Sequence, residues 1–212
     1  MHILNSELTF PPLERATCDG LLCIGGDLSP ERLLLAYRSG IFPWYSEGDP
    51  ICWWSPPERM VVFPEKYKVP KSLRNVLNRI LFTTTFNKNF ERVIEGCRFS
   101  VRNGQDGTWL TQEMDDAYVE MHRLGYAKSI EVWQGDELVG GLYGLDIDGV
   151  FCGESMFSKV SNASKYAFAA LIEKLRAEGY RLLDCQVYNH YLESLGAELI
   201  PRSEFIRILE SR

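Results

Sequence analysis

Three polar side chains in the second half of the sequence stand in runs that are otherwise apolar. Asp184 and Gln186 fall in "YRLLDCQV", which reads as a buried strand. Residues two apart on a strand share a face. The pair would present a carboxylate that accepts hydrogen bonds beside an amide that both donates and accepts. It could relay a proton, orient a bound group, or cap the next helix. Glu154, in "CGESM", is a lone carboxylate on an apolar strand. An unpaired buried charge costs several kcal/mol, so it needs a cationic partner: a substrate ammonium or basic side chain, or an internal Lys or Arg.

Composition narrows the chemistry. The chain has 212 residues, 45% of them apolar, with a formal net charge of -6. That length holds one large domain or two small ones. A protein that binds nucleic acid over its whole surface is normally basic, so any such contact here must be a local patch. The six cysteines form no CxxC pair and the three histidines are isolated, which gives no zinc spacing. The start of the chain does not read as a signal peptide, and no apolar run is long enough to span a bilayer. The expectation is a cytoplasmic protein with reduced thiols, no membrane contact and no metal; a monomer is the default.

Residues 1–65 are rich in Pro, Gly and aromatics and read as a small N-terminal α/β domain. A helix is expected from Pro30 to Ser39, with Ser29 as its N-cap and Gly40 as its stop. Residues 66–212 read as the second domain. It opens with a basic helix in "VPKSLRNVLNRI", a strand near Leu81–Phe86 and a helix in "NFERVIEGC". From residue 108 the order is α-β-β-β-α-β-α-β. Thr111 caps the first of these helices and Gly125 ends it. Gly135-Asp136 and Asp148-Gly149 turn an antiparallel meander. The whole is an α+β chain with helices packed on a mixed sheet.

That order resembles the acetyltransferase (GNAT) fold. Such enzymes hold coenzyme A with a Gly-rich turn between the central strand and its helix. Here the connection is "SKVSNASKYA", without glycine, which argues against a coenzyme A site. Asn162, Ser164 and Lys165 crowd this helix start, where an anion is attracted; ordinary capping by Ser161 or Asn162 explains the same residues.

Two further groups stand out. "GIFPWYSEGDPICWWSPPERM" gathers Trp44, Trp53 and Trp54 among prolines. Lys66, Lys68, Lys71, Arg74 and Arg79 form a basic run on or beside a helix, which is either a solvated face or a grip for phosphates.

The segments "GGDLSP", "GIFPW", "WWSP", "GTW", "CGESMFS", "NASK", "DCQ" and "SLGAE", in this order over residues 20–205, closely resemble the bacterial leucyl/phenylalanyl-tRNA–protein transferases. The resemblance implies an acetyltransferase-like second half. It also implies an enzyme, an aminoacyltransferase, that moves Leu, Phe or Met from aminoacyl-tRNA to the α-amine of proteins beginning with Lys or Arg. The product would carry an N-degron for the N-end rule pathway. No cofactor is implied, because the donor ester is already activated. An N-acyltransferase with another acyl donor, and a non-catalytic module for basic N-termini, are the alternatives.

By the same resemblance Asp184, Gln186 and Glu154 form the reaction centre. Leu142, Phe151, Met156, Phe168, Leu171, Leu175 and Leu183 match the family's aminoacyl pocket, although Phe168, Leu171 and Leu175 at i, i+3, i+7 are by periodicity alone a core stripe. Trp44 and Trp109 match its adenine-binding tryptophans. The basic run, with Asn162, Ser164 and Lys165, would meet the tRNA.

Overall fold

The computed structural model describes residues 2–79, 81–100 and 111–211. The N-terminal segment builds a four-stranded sheet around one helix. Strand β1 (His2–Leu4) runs parallel to β2 (Leu21–Gly25). Helix α1 (Pro30–Arg38) follows, then β3 (Phe42–Pro43) and β4 (Cys52–Trp54), giving the order β1-β2-β4-β3. Proline sets the φ of the first turn of α1. Ser29 occupies its N-cap, but the side chain that orders the turn is Asp27, whose Oδ1 accepts the Ser29 N–H at 2.9 Å. Gly40 closes the helix at φ 74°. A Cβ there would lie 2.4 Å from Ile206 Cδ1, so both the turn and the packing demand glycine.

Strand β5 (Glu58–Val62) leaves this sheet for the large one, although it lies on the N-terminal side of residue 65. Helix α2 (Lys71–Leu77), strand β6 (Thr83–Phe86) and helix α3 (Phe90–Arg98) come next. Helix α4 (Gln112–Arg123) has the expected Thr111 cap, whose Oγ1 accepts the Met114 N–H at 3.2 Å. The meander is β7 (Ala127–Gln134), β8 (Glu137–Ile147) and β9 (Val150–Ser158). Then come α5 (Ala163–Ala177), β10 (Leu182–Asp184), α6 (His190–Ser194), β11 (Glu198–Pro201) and α7 (Arg202–Glu210).

The large sheet has the order β11-β5-β10-β9-β8-β7-β6. Only β9 and β10 pair in parallel; the other neighbours are antiparallel. Helix α5 covers one face, and α3 and α4 cover the other. The order expected from residue 108 onward is the order observed, and the α+β, acetyltransferase-like architecture is that of the chain. Helix α7 is an addition to it. Phe205, on its buried side, packs beneath β5 and Gly40.

The register of β8 on β9 contains one irregularity. Tyr143 pairs with Ser155 and Gly144 with Gly153, so Glu154 is the extra residue of a β-bulge. Packing confirms the count. Phe151 and Met156, five apart, lie against the same core, while Cys152 and Phe157 lie against the other. Odd spacing on one face requires one residue outside the alternation. Among the described residues, no helix is long and apolar enough to cross a membrane.

Candidate active site

The bulge turns the Glu154 side chain to the α4 face of the sheet. The residue is only 8% exposed. Its Oε2 accepts from the Tyr118 hydroxyl at 2.9 Å and its Oε1 from Gln186 Nε2 at 2.8 Å. Tyr118 lies on the buried stripe of α4 with Met114 and Met121, and its oxygen is 2.6 Å from that of Tyr37, on α1. Burial pushes the Glu154 carboxyl up to about 7; the Tyr37 and Tyr118 hydroxyls oppose the rise, the Asp184 charge adds to it, and the Arg59 charge opposes it.

Asp184 ends β10 in the interior. Its oxygens accept from Arg59 Nε at 2.9 Å and Nη2 at 2.8 Å. The guanidinium lies between the rings of Phe42 and Phe205, at 4.7 and 4.4 Å from their centroids. Its Nη1 donates to the Gly40 carbonyl at 3.0 Å. The expected long strand through "YRLLDCQV" stops here because Gln186 takes a left-handed conformation, φ 65°. Asp184 Oδ1 accepts the Gln186 N–H at 2.8 Å and holds that turn. The two side chains therefore do not share a face: Asp184 faces Arg59, and Gln186 faces Glu154.

Glu154 and Gln186 border a cleft of about 580 Å³. Its apolar wall includes Leu142, Met156, Phe168, Leu171 and Leu183, and Phe42, Pro43 and Trp44 close it from the N-terminal segment. Phe151 and Leu175, also candidates from the sequence, instead line a smaller cavity beside Lys174 and Tyr180, with Leu171 between the two. Trp44 is 38% exposed, and its carbonyl accepts from Trp54 Nε1 at 2.7 Å. Trp53 is fully buried and donates to the Gly25 carbonyl at 2.8 Å. Trp109 lies outside the described residues.

At the start of α5, neither Ser161 nor Asn162 supplies the cap. Asn162 is left-handed, and Ser158 Oγ accepts the Ser164 N–H at 3.2 Å. Ser164 Oγ is 3.0 Å from the hydroxyl of Tyr191, a residue of the cleft wall, which ties this helix start to the rim. Lys165 is half-buried in the first turn. Lys66, Lys68, Lys71, Arg74 and Arg79 are exposed along the segment containing α2.

Sequence reasoning missed Arg59, Tyr118 and Tyr37. Arg59 had a readable signal, since a lone cation beside "MVVF" poses the same question as Glu154. The tyrosines had none, because on helix stripes they look like core. Among the described residues, no three of His, Cys, Asp and Glu come together as a metal would require.

Comparison with known proteins adds the following. The family described as leucyl/phenylalanyl-tRNA protein transferase matches residues 61–210, and its N-terminal domain matches residues 26–57. A leucyl/phenylalanyl-tRNA–protein transferase from Flavobacterium johnsoniae is 58% identical over 212 residues and all of both chains. One from Christiangramia forsetii is 55% identical over 99% of this chain and 100% of that protein. One from Pseudomonas fluorescens is 52% identical over 95% of this chain and 89% of that protein. Among solved structures, FemX is similar with a TM-score of 0.53 at 10% identity, covering 81% of this chain and 66% of that one. At that identity the likeness concerns the fold alone.

Proposed function

The chain belongs to the leucyl/phenylalanyl-tRNA–protein transferase family, an aminoacyl-tRNA–protein acyltransferase, and on that premise we propose that it transfers Leu, Phe or Met to the α-amine of proteins beginning with Arg or Lys, with Glu154 as proton acceptor. The new N-terminal residue would act as an N-degron in the cytoplasm. One observation carries the reading: a carboxylate with a pKa of about 7 stands at an apolar cleft, hydrogen-bonded to an amide on the same rim.

An α-ammonium has an ordinary pKa of about 7.7–8.0. Proton transfer to a carboxyl near 7 is then uphill by only about one unit, the matching that general-base catalysis favours. The neutral amine attacks the carbonyl carbon of the aminoacyl ester. The tetrahedral intermediate collapses, the C–O bond to the ribose breaks and the amide forms. Glu154 releases the first proton to solvent, takes the second from the attacking nitrogen of the intermediate and passes it to the departing ribose oxygen. Holding amine and ester in attack geometry can remove on the order of 7–11 kcal/mol of barrier.

In this reading Gln186 orients the amine beside Glu154, and Asp184, paired with Arg59, holds the turn that aims Gln186. Leu142, Met156, Phe168, Leu171 and Leu183 take the unbranched-β side chain of the donor; Phe151 and Leu175 support Leu171 from behind. Discrimination by one methylene is worth only about 1–3 kcal/mol, which suits acceptance of three related residues. Trp44 stacks on the terminal adenine, and the exposed basic run, with Asn162, Ser164 and Lys165, meets phosphates of the tRNA.

The test combines purified protein, charged leucyl-tRNA and a peptide beginning with Arg, without ATP or added metal. Leucine on the peptide N-terminus is the expected product. Acylation from acetyl coenzyme A alone, or peptide binding without transfer, would sink the proposal.

A further inference from the structure

The polar groups around Glu154 come from several separate elements, and two of these groups, the hydroxyls of Tyr118 and Tyr37, have no other evident use. Tyr118 and Tyr37 are each 1% exposed. A buried hydroxyl without a partner is costly, and these two satisfy each other and then Glu154. A tyrosine hydroxyl has one proton to give. Since Tyr118 donates to Glu154 Oε2, its oxygen must accept from Tyr37. The chain thus runs in one direction, from Tyr37 on α1 through Tyr118 on α4 to the carboxylate on β9. Burial holds both phenols neutral, their pKa well above the ordinary value, so they remain donors across the working pH range.

We infer that Tyr118, backed by Tyr37, is a positioning residue that fixes the Glu154 carboxylate and sets the pH at which it takes up a proton. The inference rests on the reading of Glu154 as proton acceptor. It gives the N-terminal segment a direct part in the chemistry, because Tyr37 belongs to the 26–57 unit whereas Tyr118 and Glu154 belong to the 61–210 unit.

The other groups facing Glu154 do not substitute for the tyrosines. Gln186 is neutral and donates to the opposite oxygen. The Asp184 charge is matched by Arg59. The thiol of Cys152, on β9 itself, and the hydroxyl of Tyr143, on β8, are kept neutral by burial. Removing the Tyr118 hydroxyl therefore strips the donor from Oε2, and the carboxylate form is the one destabilised. Loss of a hydrogen bond to a charged group raises the carboxyl pKa by about one unit or more.

The experiment is a carbon-13 NMR titration of the protein with labelled glutamate carboxyls, the Glu154 signal being assigned by its loss in Glu154→Gln. Wild type, Tyr118→Phe and Tyr37→Phe are compared; phenylalanine keeps the ring and the packing. The expected result is an upward pKa shift of about one unit in Tyr118→Phe and an upward shift in Tyr37→Phe as well. Transfer in a single turnover should then fall about fivefold at pH 7 in Tyr118→Phe and return nearly to the wild-type rate by about pH 9. A loss equal at every pH marks a structural role and overturns the inference. So does a Glu154 titration unmoved in both variants, whatever the activity does. Should Tyr118→Phe fail to fold, Tyr37→Phe alone decides between a shift and none. A fully active Glu154→Gln would instead remove the proton-acceptor role, while a shift seen by NMR would still assign the tuning to the tyrosines.

Discussion

Arg59 and Asp184 meet edge to edge, two parallel hydrogen bonds of 2.9 and 2.8 Å joining strands β5 and β10 with both side chains at most 1% exposed. Removing one partner of a buried pair leaves an uncompensated charge and costs about 3–5 kcal/mol, whereas an apolar replacement of both is far milder. Arg59→Met should lower unfolding free energy in urea by that amount, and Arg59→Met with Asp184→Leu should recover most of it. Transfer should not recover, because Asp184 also holds the Gln186 turn. A double variant with wild-type transfer would deprive Asp184 of that role.

Glu154→Gln should reduce single-turnover transfer by roughly 10²–10⁴-fold, the usual worth of a positioned base. It should also change stability against pH. The folded-state pKa is raised to about 7 from an unfolded value near 4.3. The native state thus keeps a proton that the unfolded state loses, so this contribution is full below about pH 4 and vanishes as pH rises through 7. Wild type should lose on the order of 3–4 kcal/mol relative to Glu154→Gln across that window. Parallel stability curves for the two proteins would exclude the raised pKa.

The three tryptophans of the N-terminal segment should separate by assay. Trp44→Ala, at the cleft mouth, should raise KM for leucyl-tRNA by the equivalent of about 1–3 kcal/mol while leaving Tm close to wild type. Trp53→Ala should cost about 3–5 kcal/mol of stability. Trp54 stands between, with its ring against Trp44 at a centroid distance of 5.7 Å. Its loss should loosen the Trp44 platform and show in both measurements. Trp53→Ala with unchanged Tm would contradict the burial seen here.

How much of this could be read from the sequence depended on what each residue does. The helices and meander after residue 108 were legible because caps, glycines and alternation all act locally. Glu154 was legible as an anomaly, a charge in an apolar strand. Its bulge was not, since the register of β8 on β9 depends on both strands at once. Nor was the fate of Asp184, whose partner Arg59 lies 125 positions away in sequence. Strands of two to five residues among prolines, such as β3 and β4, leave no period to detect, and Tyr37 and Tyr118 are indistinguishable from packing until their hydroxyls are seen to touch.

The basic run is best tested by salt. If Lys66, Lys68, Lys71, Arg74 and Arg79 neutralise phosphates, apparent affinity for aminoacyl-tRNA should fall steeply with salt. Replacing Lys68, Lys71 and Arg74 by Ala should flatten the log–log slope by about two to three. Equal slopes in variant and wild type would leave these residues as an ordinary solvated face.

Strand β5 also has a consequence for synthesis. It lies between β10 and β11, pairing Val62 with Leu183 and Met60 with Leu199. When β5 emerges from the ribosome, both of its neighbours are still roughly 120 residues from being made, some 6–24 s at ordinary elongation rates. Until then its "RMVV" segment has two open edges, the condition in which apolar strands find wrong partners. The sheet that carries the site can close only after β11 has been made, which makes β5 the segment that a nascent-chain chaperone would have most reason to cover.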